Sequence, residues 1–405
     1  MDSDMDRVLF DGLKVIDCGS FIAAPAAATI LSDFGADVIK IEPPGAGDPY
    51  RHLPQLPGNP VSEHNYGWML DARNKRSLAL DLSKPEAQAV LHRLVGGADV
   101  FVTNYPIKVR ARLRLDYEAL APLNERLVYA SFSGYGEQGE EAAKPGFDVT
   151  AWWARSGMMD IIRTSPGDTP VRPTIGMGDH PSAMSLFAGI VTALYQRERT
   201  GRGTRVSSSL LANGLWSNAY LAQAALVGAV TVPRPPREQA LNALTTYYRC
   251  RDDRWLILTI LNEERYWPVL LTCLDREDLA TDPRFATRKD RHTRSVELVA
   301  VLDEAFATRD RDHWRDVLHA HGIVFDVVAT PDDLVHDEQL AANGAVVPFE
   351  TGDFRTVDSP FTVGEATKTV PRHPPAVGEH SDEVLHETGF SDGEIQSLRD
   401  AGAVS

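Results

Sequence analysis

Short apolar runs alternate with helix-compatible stretches through the first half of the chain. Apolar runs at 13–17 and 36–42 flank a stretch rich in small residues at 24–35, which suits a helix. Four further apolar runs predict strands at 77–82, 99–103, 127–132 and 204–210, and a helix capped by Ser83 is predicted from Pro85. This β-α alternation predicts an α/β fold with a largely parallel sheet covered by helices on its faces.

A long helix is predicted between Pro181 and Gly201. Its apolar positions recur at three- and four-residue steps, at Met184, Phe187, Val191 and Leu194. Asp179 then lies just outside the helix N-terminus, where free N–H groups and the helix dipole are expected to keep its carboxylate ionised. Two roles follow for Asp179, a helix cap or a nucleophile.

The second half of the chain has a different pattern. A proline-rich stretch at 230–239 predicts a linker, and runs at 245–250 and 255–260 predict a hairpin. Helices are predicted at 263–274, 295–309 and 392–401, whereas the basic run 288–294 suggests a solvated loop and the chain becomes loop-rich from 329. A second, smaller α+β domain is therefore expected.

Composition restricts the classes of partner. The 405 residues are 43% hydrophobic and 24% charged, and a formal net charge of −16 disfavours nucleic acid or an anionic membrane as the main partner. The three cysteines have no metal-ligand spacing, so no metal site is expected. The acidic N-terminus lacks a secretory pattern, and the longest apolar run, 186–195, is too short to span a bilayer. These features predict a cytoplasmic protein.

Neither common nucleotide-binding loop occurs. The first β-α turn reads CGSFIAAP, without the G-x-G-x-x-G pattern, and no G-x-x-x-x-G-K-[ST] sequence is present. Ligands of parallel sheets bind beyond the carboxyl ends of the strands. The loops at 19–25 and 104–112 are therefore the candidate binding loops.

Five stretches together resemble the class III CoA-transferase family, which includes formyl-CoA transferase, carnitine CoA-transferase and the α-methylacyl-CoA racemases. They occupy residues 13–48, 98–113, 144–159, 176–203 and 372–398, in the family's order and over nearly the whole chain. The resemblance implies a Rossmann-like large domain built from 1–229 and a C-terminal return at 331–405. It also implies a small α+β domain at 230–330, inserted between them, and an interlocked homodimer.

The resemblance also implies a chemistry. Asp179 matches the family's catalytic aspartate, which attacks an acyl-CoA thioester and passes through an aspartyl anhydride and an aspartyl-CoA thioester. The partners would be acyl-CoA and a small carboxylic acid, with coenzyme A as substrate and no tightly bound cofactor. The oxyanion donors could come from the small-residue turn or from the helix entrance. The residues carried over as CoA-binding are Ile22, Asn104, Tyr105, Arg112 and Phe147.

Departures from the family pattern leave alternatives open. Pro43, Ser83 and Pro145 replace basic residues near the CoA of formyl-CoA transferase, and no glycine-rich loop precedes the hairpin, which disfavours formyl or oxalyl substrates. Phe147 stands where racemases have a catalytic histidine, which disfavours proton exchange. His180 is a poor substitute because neighbouring side chains diverge. A CoA-binding protein without turnover is the remaining alternative.

Overall fold

The first half of the chain contains a six-stranded parallel sheet. The computed structural model describes residues 8–405. The strands are β1 (Lys14–Asp17), β2 (Asp37–Glu42), β3 (Lys75–Ala79), β4 (Val100–Thr103), β5 (Val128–Ser133) and β6 (Arg205–Ser209). Their order, β3-β2-β1-β4-β5-β6, is the doubly wound order in which the crevice lies between β1 and β4. The α/β class and the parallel sheet are thus confirmed.

The helices lie between and after these strands. They are α1 (Ala23–Asp33), α2 (Tyr66–Asp71), α3 (Pro85–Gly96), α4 (Ile107–Arg112), α5 (Tyr117–Leu120), α6 (Met158–Ile161), α7 (Asp179–Thr200), α8 (Leu210–Ser217), α9 (Ala219–Leu226), α10 (Glu263–Cys273), α11 (Arg288–Thr293), α12 (Ser295–Phe306), α13 (Arg311–Ala320), α14 (Pro331–Leu334), α15 (Glu338–Ala342), α16 (Ser381–Glu387) and α17 (Asp392–Asp400). A π-helical segment, Asp148–Ala154, precedes α6.

Several local predictions were wrong, among them the solvated loop at 288–294, where residues 288–293 form α11. Strand β3 begins at Lys75, two residues earlier than the apolar run, because Lys75 is buried by an ion pair with Asp17. Ser83 does not cap α3, since its hydroxyl donates to Asp81 and Lys84 is the N-cap residue.

The described chain forms two compact units. The first comprises residues 8–161, 172–223 and 339–405, and the second comprises 162–171 and 224–338. In the first, Ile395 and Leu398 of α17 share a core with Leu78 of β3. The predicted inserted domain and interlocked homodimer remain predictions.

The second unit has a core of its own. It contains the antiparallel strands β7 (Tyr247–Arg249), β8 (Trp255–Leu258) and β9 (Phe325–Val327), so the predicted hairpin is present. Helices α10 and α12 pack Trp267 and Phe306 into this core. A two-stranded ribbon in the first unit joins β10 (Val346–Pro348) to β11 (Arg355–Val357).

Between residues 8 and 405, none of the helices combines the length and apolarity needed to cross a bilayer.

Candidate active site

Asp179 is the first residue of α7, and Gly178 is the N-cap residue. Pro181 is therefore the third helical residue rather than the first. The Asp179 side chain is half-buried, and a second carboxylate lies close by, because Oδ2 of Asp148 accepts a hydrogen bond of 3.3 Å from the N–H of Gly178. Two aspartates thus meet at the helix entrance.

The surroundings of Asp179 raise its pKa. Burial raises the pKa most, the charges of Asp148 and Asp71 raise it further, and His180 lowers it, with a result of about 7. The prediction of a fully ionised carboxylate was wrong, since burial and neighbouring acids outweigh the helix terminus. Asp179 therefore binds its proton more tightly than an exposed aspartate does.

His180 is held on both sides of its ring. Nδ1 lies 3.1 Å from the carbonyl oxygen of Gly176, and Nε2 lies 3.1 Å from Oδ1 of Asp71. The hydroxyl of Tyr50 donates to the other oxygen of Asp71 at 2.6 Å. Burial lowers the pKa of His180, but the Asp71 hydrogen bond and the charges of Asp71 and Asp179 outweigh burial and raise it. A protonated imidazole can donate to both acceptors.

The turn after β1 is fixed by three side chains. The N–H of Gly19 donates to Asp17 at 3.1 Å, and the N–H of Ser20 donates to Asn104 at 2.8 Å. The N–H of Phe21 donates to Asp48 at 3.1 Å. Phe21 has a φ of 60°, a left-handed conformation that is strained for a side chain of this size. Because these three N–H groups are occupied, they are not free to act as oxyanion donors, for which this turn was one of two possible sources.

Buried charges support the turn from behind. Lys40 lies 2.8 Å from Asp48 and 3.7 Å from Asp17, and it donates to the carbonyl oxygen of Gly19 at 2.6 Å. Lys75 lies 2.8 Å from Asp17. All four of these charged side chains are almost completely buried. Two cations and two anions therefore cancel within one buried cluster.

Three of the predicted CoA-binding residues meet at this turn. Asn104 uses its amide oxygen for the N–H of Ser20 and its amide nitrogen for the Ser20 carbonyl, at 2.8 and 2.7 Å. Ile22 is buried at the start of α1. Phe147 is 57% exposed, and its ring meets that of Phe21 edge-on at 5.5 Å. Their contacts with CoA remain predictions.

A cavity of about 620 Å³ opens beside the start of α7. Ile22, Tyr50 and His180 line the end near Asp179. The remaining wall is mostly apolar, with Leu53, Leu56 and Leu70 among its side chains, and Arg172 is its other cation.

The other two predicted residues line a separate cavity of about 230 Å³. Tyr105 and Arg112 lie there together with Pro43 and Ser83, two of the positions that depart from formyl-CoA transferase. Among the described residues that line this cavity, Arg112 is the one cation, and Glu42 and Asp81 are two acids. A guanidinium is suited to phosphate, so Arg112 stays the candidate phosphate contact, although Pro43 and Ser83 add no positive charge.

Sequence reasoning missed Tyr50, Asp71, Asp48 and the carboxylate of Asp148. The first three lie in or beside the segment 48–71, which has no clear apolar period. Within residues 8–405, no group of histidine, cysteine and acidic side chains could hold a metal ion.

Residues 10–381 match the sequence model of the family described as CoA-transferase family III. The chain belongs to this family. This CoA-transferase is 34% identical over 396 residues to the cinnamoyl-CoA:phenyllactate CoA-transferase of Clostridium sporogenes, covering 96% of each chain. It is 30% identical to the (R)-2-hydroxy-4-methylpentanoate CoA-transferase of Clostridioides difficile, covering 98% of this chain and all of that one.

Solved structures agree with this assignment. A CAIB/BAIF family protein from Brucella suis superposes with a TM-score of 0.85 at 27% identity, covering 95% of this chain and all of that one. The CoA-transferase is therefore an enzyme of family III with that family's fold.

Proposed function

We propose that this transferase moves CoA from an acyl-CoA thioester to a free carboxylic acid through covalent intermediates on Asp179. The observation that carries the proposal is the half-buried Asp179 carboxylate at the first position of α7. A cavity of about 620 Å³ lies beside it. A carboxylate without a paired cation is a better nucleophile than one held in a salt bridge, because less stabilisation is lost when it attacks.

The reaction balances without any further reactant. An Asp179 oxygen attacks the thioester carbonyl and the C–S bond breaks, which gives an aspartyl anhydride and CoA thiolate. The thiolate attacks the aspartyl carbonyl of the anhydride, so that the donor acid leaves and an aspartyl-CoA thioester remains. The acceptor carboxylate then attacks the carbonyl of this thioester and the C–S bond breaks, which gives a second mixed anhydride and CoA thiolate. The thiolate attacks the acyl carbon of the acceptor, and the anhydride C–O bond to Asp179 breaks. Asp179 returns as a carboxylate.

The cavity favours acids with a branched or aromatic chain. Its volume is far larger than a formyl or oxalyl group needs, and leucines 53, 56 and 70 offer apolar contacts. The two relatives described above act, by name, on phenyllactate and on 2-hydroxy-4-methylpentanoate. We therefore propose apolar carboxylic acids of this size as donor and acceptor.

Arg112 and Tyr105 are the proposed contacts of the CoA nucleotide. Replacement Arg112→Ala should raise KM for the acyl-CoA about tenfold, because one charged hydrogen bond to a phosphate is lost, and leave kcat nearly unchanged. Steady-state kinetics at varied acyl-CoA would measure this. Arg114→Ala, two residues further along, is the control and should change neither constant. Equal effects of the two variants would remove Arg112 from the site.

A racemase is less well supported. Proton exchange needs a base beside the α-carbon, but Phe147 cannot accept a proton and both ring nitrogens of His180 are already engaged.

Chemical trapping tests the proposal. The protein would be incubated with cinnamoyl-CoA, acetyl-CoA and branched acyl-CoA thioesters, treated with hydroxylamine, and digested for mass spectrometry. An activated aspartyl carbonyl yields a hydroxamate, so a mass shift is expected on the peptide containing Asp179, with at least one thioester. The Asp179→Asn variant should lose exchange at least about a thousandfold, because its amide is not a nucleophile, and still bind CoA.

Asp392→Asn provides the matched control, since Asp392 also opens a helix but its side chain is 96% exposed. It should retain full exchange. Deuterium exchange at the α-carbon without a hydroxamate would favour a racemase instead. CoA binding with neither reaction would favour a binding protein.

A further inference from the structure

Within residues 8–405, His180 is the side chain whose positive charge favours the ionised form of Asp179. It follows Asp179 in the chain and lines the cavity of about 620 Å³ beside the start of α7. The Asp148 and Asp71 carboxylates act in the opposite direction. Burial raises the pKa of Asp179 most, and the balance between one cation and two anions then raises or lowers it further.

The position of His180 is fixed by a chain of hydrogen bonds from two other elements. Tyr50, in the 3-10 segment Pro49–Gln55, donates to Asp71 at the end of α2. Asp71 accepts from Nε2 of His180, while the Gly176 carbonyl accepts from Nδ1. Both acceptors can be satisfied only when both ring nitrogens carry protons, so this arrangement selects the imidazolium form.

We propose that His180, held by Asp71 and Tyr50, is a positioning residue that keeps a positive charge beside Asp179 and so maintains Asp179 as the ionised nucleophile. The proposal rests on the function proposed for Asp179. His180 would not itself exchange a proton with the substrate, because neither ring nitrogen is free.

The titratable and charged groups around His180 come from five parts of the chain. Asp71 faces it from α2 and Asp179 precedes it on α7, while Tyr50 reaches it through Asp71. Arg172 lines the same cavity as His180 from the segment before α7. Asp148 acts on Asp179 from the π-helical segment. Removal of the His180 charge should therefore leave the effect of Asp148 and Asp71 on Asp179 without the opposing effect of His180.

The test measures the titration of Asp179 directly. In protein labelled with ¹³C at the aspartate carboxyl groups, the Asp179 signal is the one that Asp179→Asn removes. In His180→Asn its pKa should rise by about one unit above the wild-type value, because a neighbouring cation favours the ionised form. In His180→Lys, which keeps a cation, it should stay near the wild-type value. An unchanged Asp179 pKa in His180→Asn would overturn the proposal.

A reciprocal measurement follows the pKa of the native His180 side chain in the Asp179→Asn variant. If His180 stabilises the charge of Asp179, then Asp179 stabilises the charge of His180 by the same free energy. The pKa of His180 should therefore fall in Asp179→Asn by the amount by which the pKa of Asp179 rises in His180→Asn. No fall would contradict the proposal even if His180→Asn failed to fold.

Kinetics then connect the titration to turnover. The rate of hydroxamate formation should fall on the acid side of the Asp179 pKa, and this acid limb should move about one pH unit upward in His180→Asn. At pH 6 the variant should be about tenfold slower than wild type, and above pH 9 the two should converge. A purely structural loss would lower the rate equally at every pH and contradict the proposal.

His386→Asn is the matched control, because His386 on α16 also lies beside a carboxylate, with Nε2 3.3 Å from Asp392, but does not line this cavity. Its acid limb should coincide with that of wild type. A wild-type protein that forms no adduct with any thioester would defeat the proposed function, while the two NMR measurements would still decide whether His180 controls the charge of Asp179.

Discussion

Asp17 and Asp179 are both shielded from water in the first unit, but they have opposite surroundings. Asp17 lies between Lys40 and Lys75, and although burial raises its pKa, the two lysines outweigh burial and lower it. Asp179 faces two carboxylates and one imidazole, and its pKa is raised to about 7. A carboxylate compensated by cations stabilises the fold, whereas an uncompensated one stays available for chemistry.

The largest effect is expected from breaking the compensated group. Replacement Asp17→Asn should lower the free energy of unfolding by about 3–5 kcal/mol, because Lys75 is left buried without its anion. Urea unfolding would measure the loss.

Asp37→Asn is the matched control. Asp37 pairs with Arg76 at 2.6 Å but is 38% exposed, so its loss should cost less than about 1 kcal/mol. A similar loss of unfolding free energy in both variants would contradict the expectation that the buried ion pair matters more than the exposed one.

The uncompensated aspartate should behave in the opposite way. A carboxyl whose pKa is raised on folding binds its proton more tightly in the folded state, so its ionisation above pH 7 opposes folding. Asp179→Asn removes this cost. The melting temperature of the variant should exceed that of wild type at pH 8 by a few degrees, and the difference should shrink at pH 5, where folded Asp179 is protonated. A difference independent of pH would contradict the raised pKa.

The smallest effect is expected from Asp148→Asn. This change removes one of the two acids beside Asp179, while the asparagine oxygen can still accept from the N–H of Gly178. The acid limb of adduct formation should move downward by about one pH unit, opposite to the shift expected for His180→Asn. An upward shift would mean that Asp148 does not act on Asp179 through its charge.

The strands of the sheet and the position of Asp179 at the start of α7 were predictable, because each depends on a pattern of neighbouring residues. Runs of five to seven residues indicated each strand of the parallel sheet, and the apolar period after Pro181 indicated the start of α7 to within two residues. The start of strand β3 was misplaced because its first two residues are Lys75, which is buried, and Arg76, which is partly buried, and both have the polar character of loop residues in the sequence.

The charges around the site were not predictable, because each depends on a partner distant in the chain. Lys75 and Asp17 are separated by 58 positions, and His180 and Asp71 by 109. The run 288–294 shows the same limit in the second unit. It was predicted as a solvated loop, but it forms α11, where Arg291 is buried against Glu263 at 3.2 Å. No local pattern reveals which charged side chain has such a partner.

The turn that carries Phe21 has a consequence for folding. Asn104, which holds Ser20, lies 84 positions further along the chain, and Asp48, which holds Phe21, lies 27 positions away. The strained φ of Phe21 is therefore sustained only after β4 has come to lie beside β1, and pairings between distant strands form slowly. During synthesis, an N-terminal fragment that ends before residue 104 lacks this clamp. Such a fragment contains β1, α1 and β2, yet the turn between β1 and α1 takes its final form only after β4 has completed the centre of the sheet.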